Sequence, residues 1–258
     1  MSPHTFRRTS PSTLIALVLL VGGLIAVLRA RATSVTPSCA PADDPGCVAP
    51  NGTDPQAPTG SRANGPGDGP VLRASRICSD AGYLCAELSG ADDVVVRRWT
   101  RSDGTLVVHV PLPPMDDDAV ARVLQRAATA GVRVWNNHPF PILVDERGTR
   151  QADVEIRWTP ALPATRLGVT HTEWSPATGL KVRSIELVTR SPGTGRAVDP
   201  RQIRLTAAHE MGHALGLPHS DDPRDLMYPE NTATSLTAQD FRTLEVLYEL
   251  DDGTRIVP

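Results

Sequence analysis

The chain has 258 residues, of which 26 are Lys or Arg and 29 are Asp or Glu, and its formal net charge is −3 at pH 7. This length suits one domain of ordinary size, or one domain with appendages, and it is sufficient to bury a hydrophobic core. The nearly even charge argues against a nucleic-acid binder, because such proteins carry a basic patch or an excess of basic residues.

The first 32 residues have the pattern of an export segment. Arg7 and Arg8 precede an uncharged apolar run, Leu14–Leu28, and Ala30-Arg31-Ala32 offers a small-x-small cleavage site. A positive start, a short apolar stretch and such a site define a secretory signal peptide. The alternative is an uncleaved membrane anchor, because the arginines directly after the run are unusual for a cleaved signal. Both alternatives stay open, and both predict a secreted or cell-surface protein.

Residues 33–70 have the composition of a disordered linker, with eight prolines, six glycines and almost no large apolar residue. The four cysteines lie in the first third of the chain, and none forms a Cys-x-x-Cys pair, which argues against a thiolate zinc site. In an oxidising compartment we expect two local disulfides, Cys39–Cys47 and Cys78–Cys85, although four cysteines allow three pairings. Residues 71–258 are expected to form the folded domain.

From residue 71 onward, short runs rich in β-branched residues, which are typical of strands, alternate with amphipathic runs, which are typical of helices. Strands are expected at residues 94–96, 105–110, 142–144, 153–158, 167–171 and 182–189. Helices are expected from residue 116 over about 20 residues, at 203–215, and after a capping-box pattern at Thr237. Because the strands gather before the second helix, the fold class is α+β, one mixed sheet with helices packed on it.

The segment from His209 to His219 reads His-Glu-Met-Gly-His-Ala-Leu-Gly-Leu-Pro-His. His209 and His213 are four residues apart on a predicted helix, so both side chains share one face and both can reach one zinc ion. Gly216 can end the helix in the left-handed conformation, and the turn returns His219 as a third ligand. Three protein ligands leave a fourth position open for water, which is typical of catalytic zinc. Glu210 lies close enough to accept a proton from that water, so we expect it to be the general base.

This pattern resembles that of the metzincin zinc peptidases. Downstream, Leu226-Met227-Tyr228-Pro229 is similar to their Met-turn, in which Met227 would lie beneath the zinc site. The His219-Ser220 pair and the Met-Tyr-Pro order resemble most the matrixin branch, that of the matrix metalloproteinases. The resemblance covers roughly residues 94–250.

The resemblance also sets expectations for the fold and the activity of this chain. It implies a metzincin-like zincin fold, with a mixed, mostly parallel twisted sheet of about five strands, an active-site helix, a backing helix and a C-terminal helix. It also implies a zinc-dependent endopeptidase. The polypeptide substrate would add as a strand along residues 167–171, and residues 229–235 would wall the pocket for the residue after the cleaved bond.

The sequence departs from the family at several points. The short segment 160–169 lacks the His and Asp ligands that matrix metalloproteinases use for a second zinc and for calcium, so Ca²⁺ is an option without support. His171 is a lone strand histidine, which is more often structural than a ligand. The acidic run Asp116–Asp118 is more typical of a helix start than of a calcium site. The cysteine-containing propeptide switch of the family is absent from the sequence.

A second class of function remains, a non-catalytic zinc-binding surface or adhesion module that retains the metzincin fold. Glu210 argues against it, because loss of the base is the simplest way to inactivate such a site. Anchoring of the chain through the Leu14–Leu28 segment is compatible with catalysis. We expect a monomer with a polypeptide substrate and no nucleic-acid partner.

Overall fold

The computed structural model describes residues 69–89, 93–100, 104–230 and 232–258. The predicted export segment at 1–32, nearly all of the predicted linker and the predicted Cys39–Cys47 disulfide lie outside these residues. The predicted Cys78–Cys85 disulfide is present. None of the helices in the described ranges combines the length and the apolar character that a membrane crossing requires.

The described residues form eight strands and four α-helices. In chain order the strands are β1 (Val71–Arg73), β2 (Val94–Val95), β3 (Leu106–His109), β4 (Ile142–Asp145), β5 (Val154–Thr159), β6 (Gly168–Ser175), β7 (Gly179–Val188) and β8 (Arg255–Val257). The helices are α1 (Ala74–Ile77), α2 (Asp118–Val132), α3 (Pro200–Ala214) and α4 (Ala238–Glu249).

The main sheet contains five strands in the order β4-β3-β5-β7-β6. The first four run parallel to their neighbours, and β6 pairs antiparallel with β7 as an edge strand. This arrangement confirms the expected α+β class and the mixed, mostly parallel sheet of about five strands. It also puts β6, which contains most of the strand predicted to receive substrate, at an edge of the sheet.

The core lies between the sheet and the packed helices α2 and α3. On β5, Val154 and Ile156 are fully buried on the same side of the strand, as their alternation with polar residues predicts. The two helices approach closely at Gly131, where a Cβ atom would overlap the carbonyl oxygen of Arg204. The Trp135 indole, also fully buried, donates to the carbonyl oxygen of Ala208 at 2.8 Å. These contacts fix α2 as the backing helix behind α3.

Each of the three long helices begins at a capping side chain, and α3 begins three residues before the predicted start at residue 203. Asp117 accepts from two backbone N–H groups at the start of α2, and Asp199 does so from one at the start of α3, where Pro200 follows. Thr237 and Asp240 form the predicted capping box of α4. The predicted 20-residue helix is shorter than expected, since α2 has 15 residues and continues as a 3₁₀ turn to Trp135.

A small second sheet joins both ends of the described chain in the order β1-β8-β2. β8 pairs parallel with β1 and antiparallel with β2. The sequence predicted only β2 of these, from its run of β-branched residues at 94–96; β1 and β8 have three residues each, which is too short for a hydrophobic period to appear.

Candidate metal centre

Helix α3 carries the first two histidines of the predicted ligand set. His209 and His213 lie one turn apart with their ring centroids separated by 4.7 Å. The helix ends at Ala214, and Gly216 follows with a φ of +101°, a conformation that residues with a side chain rarely adopt. A Cβ atom at Gly216 would also overlap the carbonyl oxygen of Arg97. The turn that returns the chain towards the helix therefore requires glycine.

The three predicted histidines converge. His209, His213 and His219 each offer a ring nitrogen, and these nitrogens all lie within 4.8 Å of one another. The Nε2 atoms of His213 and His219 are 3.1 Å apart. This is the only such group of His, Cys, Asp or Glu side chains in the described ranges. Three imidazole nitrogens in so compact a set fit a zinc ion, which bonds histidine at about 2.0–2.1 Å.

Backbone carbonyl groups orient two of the rings from behind. The Nδ1 atom of His209 is 2.8 Å from the carbonyl oxygen of Leu226, and Nδ1 of His213 is 2.9 Å from that of Leu217. A carbonyl oxygen only accepts, so each Nδ1 carries the proton and each Nε2 keeps a lone pair for a metal. The hydrogen-bond network thus assigns the tautomer that a metal ligand needs.

Burial keeps both of these imidazoles neutral. It lowers the pKa of His209 below its ordinary value and the pKa of His213 to about 3. The neighbouring histidines lower both pKa values further. A neutral ring is the form that binds a metal, so the electrostatics of the cluster agree with the tautomers.

Glu210 is buried beside the histidines and is held by the edge strand. The hydroxyl of Thr170 on β6 is 2.7 Å from Oε2 of Glu210 and 2.8 Å from its carbonyl oxygen. Burial raises the pKa of Glu210 to about 7, against the opposing effects of the Thr170 hydrogen bond and the charge of Arg166. A carboxyl group poised near neutral pH can both accept and release a proton.

The close approach of Glu210 to β6 depends on Gly168. A Cβ atom there would lie 2.8 Å from Cγ and 3.0 Å from Oε1 of Glu210, and 2.5 Å from a methyl group of Thr206. Real Cβ atoms do not come this near to such neighbours, so the strand must carry glycine where it passes the carboxylate.

Met227, the predicted Met-turn residue, is fully buried. Its thioether packs on α3 at Gly212, where a Cβ atom would overlap the sulfur. The backbone N–H of Ser220, the residue after His219, donates to the Met227 carbonyl oxygen at 2.9 Å. Met227 thus links the helix that carries two of the histidines to the loop that carries the third.

A cleft of about 1110 Å³ opens over the cluster. One wall is the chain from Ala164 to Thr170, including the start of edge strand β6, and another includes Pro229 and Glu230. His209, Glu210, His213 and His219 line it together. The cleft also borders residues 93–97, which contain β2 of the small sheet.

The structure brings together the histidines and the glutamate singled out in the sequence, with Gly216 and Met227 beside them. His171 does not join them, because its Nε2 atom lies 3.3 Å from Glu186 on the neighbouring strand. Sequence reasoning missed Thr170 and Gly168, as well as the carbonyl groups of Leu217 and Leu226. The roles of Thr170, Gly168 and Leu226 come from contacts between distant segments, for which the sequence offers no local signal, whereas Leu217 contacts His213 only four residues away.

Comparison with known proteins agrees with this geometry. A family model described as Matrixin matches residues 98–249. The 72 kDa type IV collagenase of Gallus gallus is 49% identical over 49 residues, which are 18% of this chain and 7% of that protein. The neutrophil collagenase of Homo sapiens is 47% identical over 54 residues, which are 19% of this chain and 12% of that protein.

The chain also matches the matrix metalloproteinase-16 of Rattus norvegicus, over a longer stretch and at lower identity. It is 26% identical over 154 residues, which are 52% of this chain and 23% of that protein. The chain thus spans less than a quarter of the length of each of these relatives.

Proposed function

Since the chain belongs to the matrixin family, whose model matches residues 98–249, we propose that it is a zinc-dependent endopeptidase. The proposal rests on one observation above the others, the convergence of three imidazoles and one buried carboxyl group in a single cleft. His209, His213 and His219 would hold the metal through their Nε2 atoms. Zinc held there would supply a Lewis acid that polarises a peptide carbonyl and lowers the pKa of water.

In this proposal Glu210 moves the proton. Its carboxylate takes a proton from a water molecule in the cleft, so that the oxygen can attack the peptide carbon, and then passes the proton to the leaving amine. The Thr170 hydroxyl holds Oε2 in place. Gly168 leaves room for Oε1 on the same side of the cleft. One group can serve both transfers because its pKa, raised by burial to about 7, lies near neutral pH.

The substrate in this proposal is an extended polypeptide. β6 is an edge strand whose first residues line the cleft, and a peptide can add to such an edge through backbone hydrogen bonds. Pro229 and Glu230 face the same cleft and would wall the pocket for the residue after the cleaved bond. The edge strand would select for an extended conformation, and the wall for one side chain.

We also propose that the chain acts outside the cytoplasm. The Arg7, Arg8 and Leu14–Leu28 pattern supports export, whether the segment is then cleaved or kept as an anchor. The Cys78–Cys85 disulfide supports it independently, since disulfides persist in oxidising compartments. Residues 33–70 would then separate the folded domain at 71–258 from the export segment.

Glu210→Gln tests the catalytic proposal. The change keeps the size of the side chain but removes its basicity, so cleavage of an unfolded protein should fall by about 10²- to 10⁴-fold. Zinc content, measured by elemental analysis, should stay that of the wild type. Glu245→Gln is the matched control, because Glu245 is an exposed residue on α4 that pairs only with Arg242 among the described ion pairs.

The wild type should lose its cleavage activity when a chelator removes the metal and regain it when zinc is returned. A wild type that binds zinc but cleaves no better than Glu210→Gln contradicts the peptidase proposal and favours a non-catalytic zinc-binding module. A wild type that binds no zinc contradicts the metal site itself.

A further inference from the structure

A buried tyrosine far from the metal centre in sequence is joined to it by hydrogen bonds. Tyr83 is 2% exposed and lies in the short loop that the Cys78–Cys85 disulfide closes. This loop precedes the segment that the family model matches, residues 98–249. The Tyr83 hydroxyl is 2.9 Å from Oδ1 of Asp240, which is 157 residues away in the chain.

Asp240 is the first step between this loop and the metal centre. Its carboxylate is fully buried in the first turn of α4. Besides the Tyr83 hydroxyl, it accepts from the backbone N–H of Thr237 at 2.8 Å and from that of Leu226 at 3.0 Å, both through Oδ2. Burial and the Asp240 carboxylate raise the pKa of Tyr83 above its ordinary value, so the phenol keeps its proton and is the donor.

Leu226 is the second step. Its N–H donates to Asp240, and its carbonyl oxygen accepts from Nδ1 of His209 at 2.8 Å. The path from Tyr83 to the first proposed metal ligand therefore consists of three hydrogen bonds and one residue of backbone. Each polar group on it is buried, where a hydrogen bond is stronger and an unpaired group is costly.

The loop that carries Tyr83 is itself attached to α4. The Tyr83 N–H donates to the hydroxyl of Thr243 at 3.2 Å, and the Arg242 guanidinium donates to the carbonyl oxygen of Asp80 at 2.8 Å. Gly82 has a φ of +57°, and a Cβ atom there would overlap the Thr243 hydroxyl. The disulfide closes this loop over eight residues and so limits the positions that Tyr83 can reach.

We propose that Tyr83 is a positioning residue for the metal centre: through Asp240 and Leu226 it fixes the imidazole of His209, and the Cys78–Cys85 disulfide holds it in place. The inference rests on the proposed role of the three histidines as metal ligands. Groups that orient a ligating histidine from behind affect metal affinity or activity by about 10- to 100-fold when they are lost. Tyr83 stands two hydrogen bonds further out, so we expect the lower end of that range.

The test compares Tyr83→Phe with the wild type in the full chain, using cobalt(II) as the probe. Cobalt can replace zinc, and its visible absorption depends on the geometry of its ligands. The readouts are the cobalt dissociation constant, the visible spectrum of the loaded protein and the melting temperature of the metal-free protein. Thr129→Val is the matched control, because the Thr129 hydroxyl is also buried and donates to a carboxylate, that of Glu146, at 3.0 Å. Thr129 lies on α2 and does not line the cleft.

The expected result for Tyr83→Phe is a cobalt affinity about 10-fold weaker than that of the wild type, with an altered spectrum. Thr129→Val should lower the melting temperature and leave affinity and spectrum unchanged. If Tyr83→Phe lowers only the melting temperature, as the control does, Tyr83 is merely structural and the inference is wrong. If the wild type itself binds no cobalt, the proposed metal site fails and the inference fails with it.

The double variant Cys78→Ala/Cys85→Ala is the second test of the same inference. It leaves Tyr83 in the chain but removes the restraint on its loop, so cobalt affinity should fall in the same direction. If Tyr83→Phe yields no folded protein, cobalt affinity is measured in this double variant instead. Wild-type affinity and spectrum in the double variant would contradict the role of the disulfide.

Discussion

The metal centre consists of one short segment that carries the proposed ligands and of supporting segments that lie far from it in the sequence. All three proposed ligands and the proposed base fall within the eleven residues from His209 to His219. Apart from the Leu217 carbonyl group, the groups that orient them come from elsewhere: Thr170 on β6, Leu226 in the following loop and Asp240 on α4. The short segment supplies the atoms that react, and the distant segments decide where those atoms point.

The two kinds of segment also differ in what a substitution can break. A change in the ligand segment removes a donor atom outright. A change in a supporting segment leaves every donor in place but alters its direction or its room to move, and a misplacement of about 1 Å can cost about 10²-fold in rate. Three substitutions separate these cases, and they are given in order of decreasing effect.

His213→Ala should have the largest effect. It removes one of three nitrogens that lie within 4.8 Å of one another, so zinc affinity should fall by more than about 100-fold, the most that loss of an outer partner causes. Zinc titration against a competing chelator measures the change. His171→Ala is the matched control, since His171 pairs with Glu186 and lies outside the cluster. Equal losses in both variants would contradict the ligand set.

Gly168→Ala should lower the rate of catalysis and leave zinc binding unchanged. The new methyl group would lie 2.8 Å from Cγ of Glu210 and must push the side chain away from β6. We expect kcat/KM for an unfolded substrate to fall by about 100-fold while zinc affinity stays that of the wild type. Gly193→Ala is the control, because no atom lies within 4 Å of a Cβ atom at Gly193. A Gly168→Ala variant as active as Gly193→Ala would show that the room beside Glu210 is unimportant.

Thr170→Val should have the smallest effect of the three. Valine keeps the shape of threonine and loses the hydroxyl that lies 2.7 Å from Oε2 of Glu210. A hydrogen bond to a charged group contributes about 1.5–3 kcal/mol, so a drop in kcat of roughly 10- to 100-fold is expected from steady-state kinetics. Thr170→Ser keeps the hydroxyl and should retain most of the activity. If serine and valine are equally impaired, the hydroxyl does not act on Glu210.

The features that could be predicted from the sequence are those formed within one short segment, and the features that were missed depend on contacts between distant segments. The strands of the main sheet, the helix α3 and the capping box of Thr237 and Asp240 are marked by patterns within a few residues, and the structure contains them. The small sheet was missed except for β2, because β1 and β8 have three residues each and find their partners from opposite ends of the described chain.

The supporting groups were missed for a related reason. Gly168 appears in the sequence only as a glycine within the predicted strand 167–171, and its contact with Glu210 spans 42 residues. Asp240 was identified as a helix cap, but its carboxylate also accepts from Leu226 and Tyr83. A residue with a sufficient local explanation conceals its long-range role, and only the packed structure reveals both.

X-ray absorption at the zinc edge of the zinc-loaded full chain shows directly whether three histidines hold the metal. We expect the scattering of three imidazole rings, with nitrogen at about 2.0–2.1 Å and no sulfur shell. A sulfur shell at about 2.3 Å, or fewer than three imidazole rings, would contradict it and would mean that groups other than His209, His213 and His219 complete the site.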